Sequence, residues 1–154
     1  MTLHVVLYQP EIPPNTGNIM RLCANTGTVL HLIHPLGFEL DSTRLKRAGM
    51  DYREWADVRQ YDDLSEFYVK VSPGRVWAFT RDGNALYSEL SYADNDALLF
   101  GPESVGLPDE AVDRPDITGS VRIPMVPRSR SLNLSNSVAI AIYEANRQLD
   151  FPYA

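Results

Sequence analysis

The sequence predicts one α/β domain spanning residues 1–154, built on a parallel sheet with helices on both faces. Two observations carry this. Short apolar runs alternate along the chain with stretches of helical periodicity, the pattern of strand–helix–strand units. The 154 residues, 44% hydrophobic and 22% charged, suit a single core with ordinary globular composition. No repeat, low-complexity segment or linker divides them.

The elements follow in order. Residues 3–8 read as a buried strand, since Leu3, Val5, Val6 and Leu7 stand nearly consecutive. A helix then runs to about Thr26, with Asn15 as its cap and Gly27 as its stop. Residues 29–33 read as the second strand and 41–48 as a short helix ended by Gly49. Residues 58–61 read as a third strand. The helix over 62–71 places Leu64, Phe67, Tyr68 and Val71 at helical spacing, and Asp63 and Glu66 have the spacing of a capping box. Residues 75–79 and 97–100 read as two further strands, 108–112 as a short helix, and 120–123 as the last strand. A long helix covers 133–149. Pro73-Gly74 and Asp82-Gly83 are turns within the domain.

Composition narrows the function. No window approaches the roughly 20 apolar residues that cross a bilayer. The first residues lack the basic region of a secretory signal. Cys23 is the only cysteine, so no internal disulfide forms and a reducing cytoplasm is expected. Three scattered histidines and one cysteine give no metal-ligand spacing. His4, His31 and His34 are read as packing or loop residues. The net charge of −6, from 14 basic and 20 acidic residues, argues against nucleic-acid binding unless the basic residues gather on one surface.

In open α/β sheets ligands bind beyond the carboxyl ends of the strands. Three loops follow strand ends and are rich in polar and special residues: 9–17, 101–107 and 124–133. The first leads into a helix whose polar face carries Asn18, Arg21 and Asn25, opposite Ile19, Leu22, Cys23 and Thr26. Taken alone, that face reads as an ordinary solvated surface behind a good cap. The second, Gly101-Pro102-Glu103-Ser104-Val105-Gly106-Leu107, places glycine at a strand end, where backbone can approach a ligand, and a carboxylate two residues on. It reads equally as a plain turn. In the third, prolines at 124 and 127 precede Arg128, Ser129, Arg130, Ser131 and Asn133. Hydroxyls and amides there exceed what one helix cap needs, beside two guanidinium groups suited to phosphate.

The last helix carries two apolar stripes. Leu134, Val138, Ala141, Ile142, Ala145 and Leu149 share the core face. Ile140 and Tyr143 lie on the other side, either as isolated exposed residues or as a contact with a partner helix.

Together the three loops resemble the three signature motifs of the SPOUT superfamily of RNA methyltransferases. They are Asn15-x-Gly17-x-x-x-Arg21, then Gly101-Pro102-Glu103-x-x-Gly106-Leu107, then Ile123-Pro124-Met125 leading to Ser131-Leu132-Asn133-Leu134-Ser135. The resemblance covers essentially the whole chain. The opening Tyr8-x-Pro10-Glu11-Ile12-Pro13-Pro14-Asn15-Thr16-Gly17-Asn18 is similar to the subgroup that methylates the wobble nucleotide of tRNA. The resemblance implies a C-terminal trefoil knot, a fold that periodicity does not reveal. It implies a homodimer packed through its first and last helices, with Ile140 and Tyr143 in the interface.

It also implies chemistry. The donor is S-adenosylmethionine, no metal is needed, and the acceptor is a ribose 2′-oxygen at position 34, a cytidine or modified uridine. Arg21, Glu103 and Asn133 stand at the catalytic positions. Phe79, Gly101, Ile123, Met125, Ser131 and Leu132 stand at cofactor positions, Phe79 where the family often has leucine. Asn15, Arg44, Arg47, Arg128 and Arg130 are expected to meet RNA, with Lys46 and Arg53 nearby, in the anticodon stem-loop. Arg44, Lys46, Arg47 and Arg53 read equally as a solvated helix face. Two other readings stay open: a related methyltransferase acting on ribosomal RNA or another tRNA position, and a non-catalytic dimeric RNA-binding module. A small-molecule hydrolase lacks its Gly-x-Ser-x-Gly elbow.

Overall fold

The computed structural model describes residues 1–40 and 57–154. The helix expected over 41–48, with Arg44, Lys46 and Arg47, and Arg53 beyond it, lies outside the described residues. Strands β1 (His4–Tyr8), β2 (Val29–Ile33), β3 (Val58–Tyr61), β4 (Arg75–Phe79), β5 (Ala85–Leu86), β6 (Asp96–Phe100) and β7 (Gly119–Arg122) form one sheet among the described residues. Its order is β3-β2-β1-β6-β4-β7-β5, and every pairing is parallel. Helices α1 (Pro13–Thr26), α2 (Leu64–Val71), α3 (Asp109–Val112) and α4 (Leu134–Gln148) complete the described elements.

The apolar runs explain the sheet. Strands β2 and β6 are buried along their whole length and β1 along all but its last residue, as expected of parallel strands covered on both faces. Alternation then divides the core. Val5, Leu7, Leu30, Leu32, Leu98 and Phe100 face one side, with Ile19 and Met20 of α1 and Val138 and Ile142 of α4. Val6, Ile33, Ala97 and Leu99 face the other, with Leu64 and Phe67 of α2 and Ala111 of α3. Among the described residues no helix is long and apolar enough to cross a membrane.

Several boundaries differ from the sequence reading. Helix α1 starts at Pro13, with Ile12 as its cap, so Asn15 is not the cap. Prolines are favoured at the first helical positions because those N–H groups have no helical partner. Asn15 sits in the first turn instead, buried and free for other work. Gly27 does end α1, in the left-handed conformation at φ 64°. Asp63 caps α2 by accepting from the Glu66 N–H, while Glu66 accepts from the Asp62 N–H, one residue before the reciprocal position of a capping box. Strand β7 begins at Gly119, one residue early, and β5, with only two residues, was not expected.

His4 and His31 belong to a buried polar chain across β1, β2 and β3. Asn95 Oδ1 can only accept, so His4 Nε2 donates to it at 2.8 Å. His4 Nδ1 is then left to accept from His31 Nε2 at 2.9 Å, and the Tyr61 hydroxyl donates to His31 Nδ1 at 2.9 Å. Burial holds both rings neutral, lowering His4 and bringing His31 down to about 3.

Candidate active site

Because every strand is parallel, their carboxyl ends lie along one edge of the sheet. The loops after β4, β6 and β7 meet there around a cleft of about 810 Å³, within the usual range for a small-molecule site. Phe79 closes β4, and its ring stacks on that of Phe100, which closes β6, at 4.6 Å. With Ile123, Leu132 and Leu134 these rings form much of the apolar lining. Glu103, Arg130, Ser131, Asn133 and Ser137 are among its polar groups. Gly101 lets its loop close on itself, since a Cβ there would lie 2.2 Å from the Leu107 nitrogen.

A hydrogen-bonded chain joins all three motif loops. Helix α1 has no side-chain cap of its own, because Ile12 cannot supply one. The Glu103 carboxylate instead fastens the two residues that lead into it, accepting the N–H of Glu11 at 2.9 Å and of Ile12 at 2.7 Å. An anion there also suits the positive end of the helix. Glu103 Oε2 accepts further from Asn15 Nδ2 at 3.2 Å. Asn15 Oδ1 accepts from Asn133 Nδ2 at 3.1 Å. Asn133 caps α4, its Oδ1 accepting from the N–H of Asn136 and the hydroxyl of Ser135. One buried asparagine thus ties the starts of both helices to the loop after β6.

The predicted site residues divide clearly. Asn15, Phe79, Gly101, Glu103, Ile123, Met125, Arg130, Ser131, Leu132 and Asn133 all line the cleft. Arg21 and Arg128 do not. Arg21 stands on the exposed face of α1, and Arg128 is exposed in the loop before α4. Arg44 and Arg47 lie outside the described residues. The structure adds Thr80, Arg81, Ser104 and Ser137 to the lining. Arg81 Nη2 donates to the Ser129 carbonyl at 3.1 Å, fastening the loop after β7 to the loop after β4. Its place just beyond Phe79 at a strand end is the signal that could have flagged it.

A parallel sheet with this cleft beyond its carboxyl edge defines a ligand-binding α/β enzyme fold, and the chain belongs to the SpoU rRNA Methylase family, which matches residues 2–143. The chain is 56% identical over 149 residues to a tRNA (cytidine(34)-2'-O)-methyltransferase of Aeromonas hydrophila, covering 97% of this chain and 96% of that one. A solved structure described as "Structural insights into the 2-OH methylation of C/U34 on tRNA" matches with a TM-score of 0.90 at 48% identity, covering 97% of each chain. An AdoMet-bound rRNA methyltransferase from Sinorhizobium meliloti matches with a TM-score of 0.83 at 26% identity, over 96% of this chain and 57% of that chain.

Proposed function

We propose that the chain transfers a methyl group from S-adenosylmethionine to the ribose 2′-oxygen of the wobble nucleotide of tRNA, position 34, a cytidine or modified uridine. The observation that carries this is the meeting of Glu103, Asn15 and Asn133 in one cleft, in a chain 56% identical to a tRNA (cytidine(34)-2'-O)-methyltransferase over nearly its whole length.

The cleft suits the cofactor. Its stacked Phe79 and Phe100 with Ile123 and Leu132 offer an apolar slot for a purine, and Ser131, Asn133 and Ser137 offer hydrogen bonds to a sugar. Gly101 and Met125 border the same slot. When bound, S-adenosylmethionine supplies an electrophilic sulfonium methyl, which calls for no metal. The protein's share is then alignment, where good orientation is worth up to about 7–11 kcal/mol of barrier.

Glu103 is a brace. Three donors already occupy its carboxylate, so taking a proton from the 2′-hydroxyl would strip the charge that strengthens the bonds ordering the site. Arg21 orients the 2′-oxygen or an adjacent phosphate from the exposed face of α1 and stabilises developing charge. A guanidinium stays protonated and is a poor base. Asn133 positions the ribose. Arg128 and Arg130, with Arg44 and Arg47, hold the RNA backbone on an otherwise acidic molecule.

The single domain, the C-terminal knot, the homodimer and the cytoplasmic location belong to the same proposal. The knot is supported by the match to the SpoU rRNA Methylase family over residues 2–143. The dimer is supported by Tyr143, 46% exposed on α4 with Ile140 half-buried nearby.

Two anticodon stem-loops test the reaction, one all-ribose and one 2′-deoxy at position 34 only. Labelled methyl enters the first and not the second. Equal labelling of both would overturn the assignment to that oxygen. In the same assay Arg21→Lys loses most of its turnover. Near-full activity would exclude a role that needs the planar fork.

A further inference from the structure

The segment between β1 and α1 is fastened from two sides. Toward the cleft, Glu11 and the loop after β6 exchange hydrogen bonds in both directions. The Glu11 N–H donates to Glu103 Oε1 at 2.9 Å. In return Glu11 Oε1 accepts from the Ser104 N–H at 2.9 Å and from the Ser104 hydroxyl at 2.7 Å. These bonds hold the Glu11 carboxyl below the usual carboxylate range, so it is an anion at neutral pH.

On its other side Glu11 has no room to retreat. The Gly37 N–H donates to the Pro10 carbonyl at 2.9 Å, and a Cβ on Gly37 would lie 2.8 Å from Glu11 Cα. Glu11 does not line the cleft, whereas Glu103, Ser104, Val105 and Gly106 do. Val105 is 80% exposed, so apolar packing does little to hold the outer part of this wall. The hydrogen bonds that tie Ser104 to the body of the protein end on Glu11.

We infer that Glu11 is a positioning residue for methyl transfer, which through Ser104 clamps the 101–107 loop to the start of α1 and so keeps the wall of the cofactor cleft closed. The inference rests on the cofactor reading of that cleft. It assigns Glu11 and Ser104 a shared task outside the three motif positions. It also couples the RNA-facing helix α1 to the cofactor wall: loosening either end loosens the other.

The test is titration calorimetry with S-adenosylhomocysteine, with amide exchange of the ligand-free protein and a thermal melt. Glu11→Ala binds about tenfold more weakly, the Ser104 amide exchanges faster, and Tm moves little, since Glu11 is exposed. Glu11→Gln, which keeps an acceptor without the charge, recovers part of the affinity. Ser104→Ala weakens binding less than Glu11→Ala does, and added to Glu11→Ala it weakens binding no further. If the wild-type protein fails to bind S-adenosylhomocysteine, the cofactor reading falls and the inference with it. If the wild type binds and Glu11→Ala binds equally well, the cofactor reading stands and the clamp is wrong. Additive losses in the double variant would likewise overturn the route through Ser104. Should Glu11→Ala not fold, Glu11→Gln carries the test, and wild-type affinity with wild-type exchange of the Ser104 amide there overturns the clamp.

Discussion

Asn15 holds the site together at the residue scale. Its amide donates to Glu103 and accepts from Asn133, so loops separated by many residues in sequence share one buried side chain. Removing it leaves a carboxylate and an amide each short of a partner. Losing a hydrogen bond to a charged group costs about 1.5–3 kcal/mol. Asn15→Ala is therefore expected to lower kcat/KM about 10- to 100-fold, and steady-state kinetics would reveal it. The buried histidines set a second expectation. Burial, then the repulsion a second proton would meet from His4, then the Arg59 cation, bring His31 to about 3 from its ordinary 6.5, and burial lowers His4 as well. Below pH 6.5 the unfolded chain takes up protons that the folded chain refuses. The stability from these neutral rings is fully present above 6.5 and is lost as pH falls toward 3. Each ring contributes a slope of up to about 1.4 kcal/mol per pH unit. Denaturant unfolding at pH about 5 against pH about 7 should show the loss, and His31→Gln should flatten it. An unchanged slope in that variant would count against this source. At this scale the sequence disclosed Glu103, Asn15 and Asn133 as polar residues at loop ends. It could not disclose that they bond to one another, since contacts between residues about ninety to more than a hundred apart leave no periodic trace. The capping role expected of Asn15 failed because two prolines start α1 earlier.

The elements were largely legible because apolar runs and helical spacing are local. Strands β1, β2, β4 and β6 and the stripes of α2 and α4 stand where periodicity puts them. Strand β5 escaped notice because two residues carry no alternation to read, and its pairing with β7 is a tertiary fact. Fastening between neighbouring strands was equally hidden. Asp96, at the amino end of β6 and 1% exposed, accepts from Arg75 Nε and Nη2, from Trp77 Nε1 and from the Ala93 N–H. Arg75 is itself packed over the Trp77 ring at 5.2 Å. Asp96→Ala would leave these donors facing an apolar gap and is expected to cost about 3 kcal/mol of stability in urea unfolding. The cleft lies at the opposite, carboxyl end of the strands, so the folded variant should bind S-adenosylhomocysteine as the wild type does. Weakened binding with unchanged stability would contradict this division of labour between the two ends of the sheet.

For the whole molecule the puzzle is charge: a net −6 on a chain read as acting on tRNA. Many cations are spent locally, with Arg59, Lys70, Arg75, Arg114 and Arg147 each paired to a carboxylate. Arg128 and Arg130 instead lie in the loop before α4, Arg130 at the cleft. If Arg130 meets a phosphate, Arg130→Ala should weaken tRNA binding and reduce the slope of log affinity against log salt by about 1. An unchanged slope would remove it from the RNA surface. The sequence motifs, taken together, pointed to the methyltransferase family, while chain threading and subunit pairing, which belong to the proposal, are global properties that no local pattern encodes. The most direct test of the central claim is to incubate the protein with labelled S-adenosylmethionine and total tRNA and to map the label by nuclease digestion and mass spectrometry. The account predicts a single 2′-O-methyl group on the nucleotide at position 34. Label confined to another position, or found only in ribosomal RNA, would contradict it.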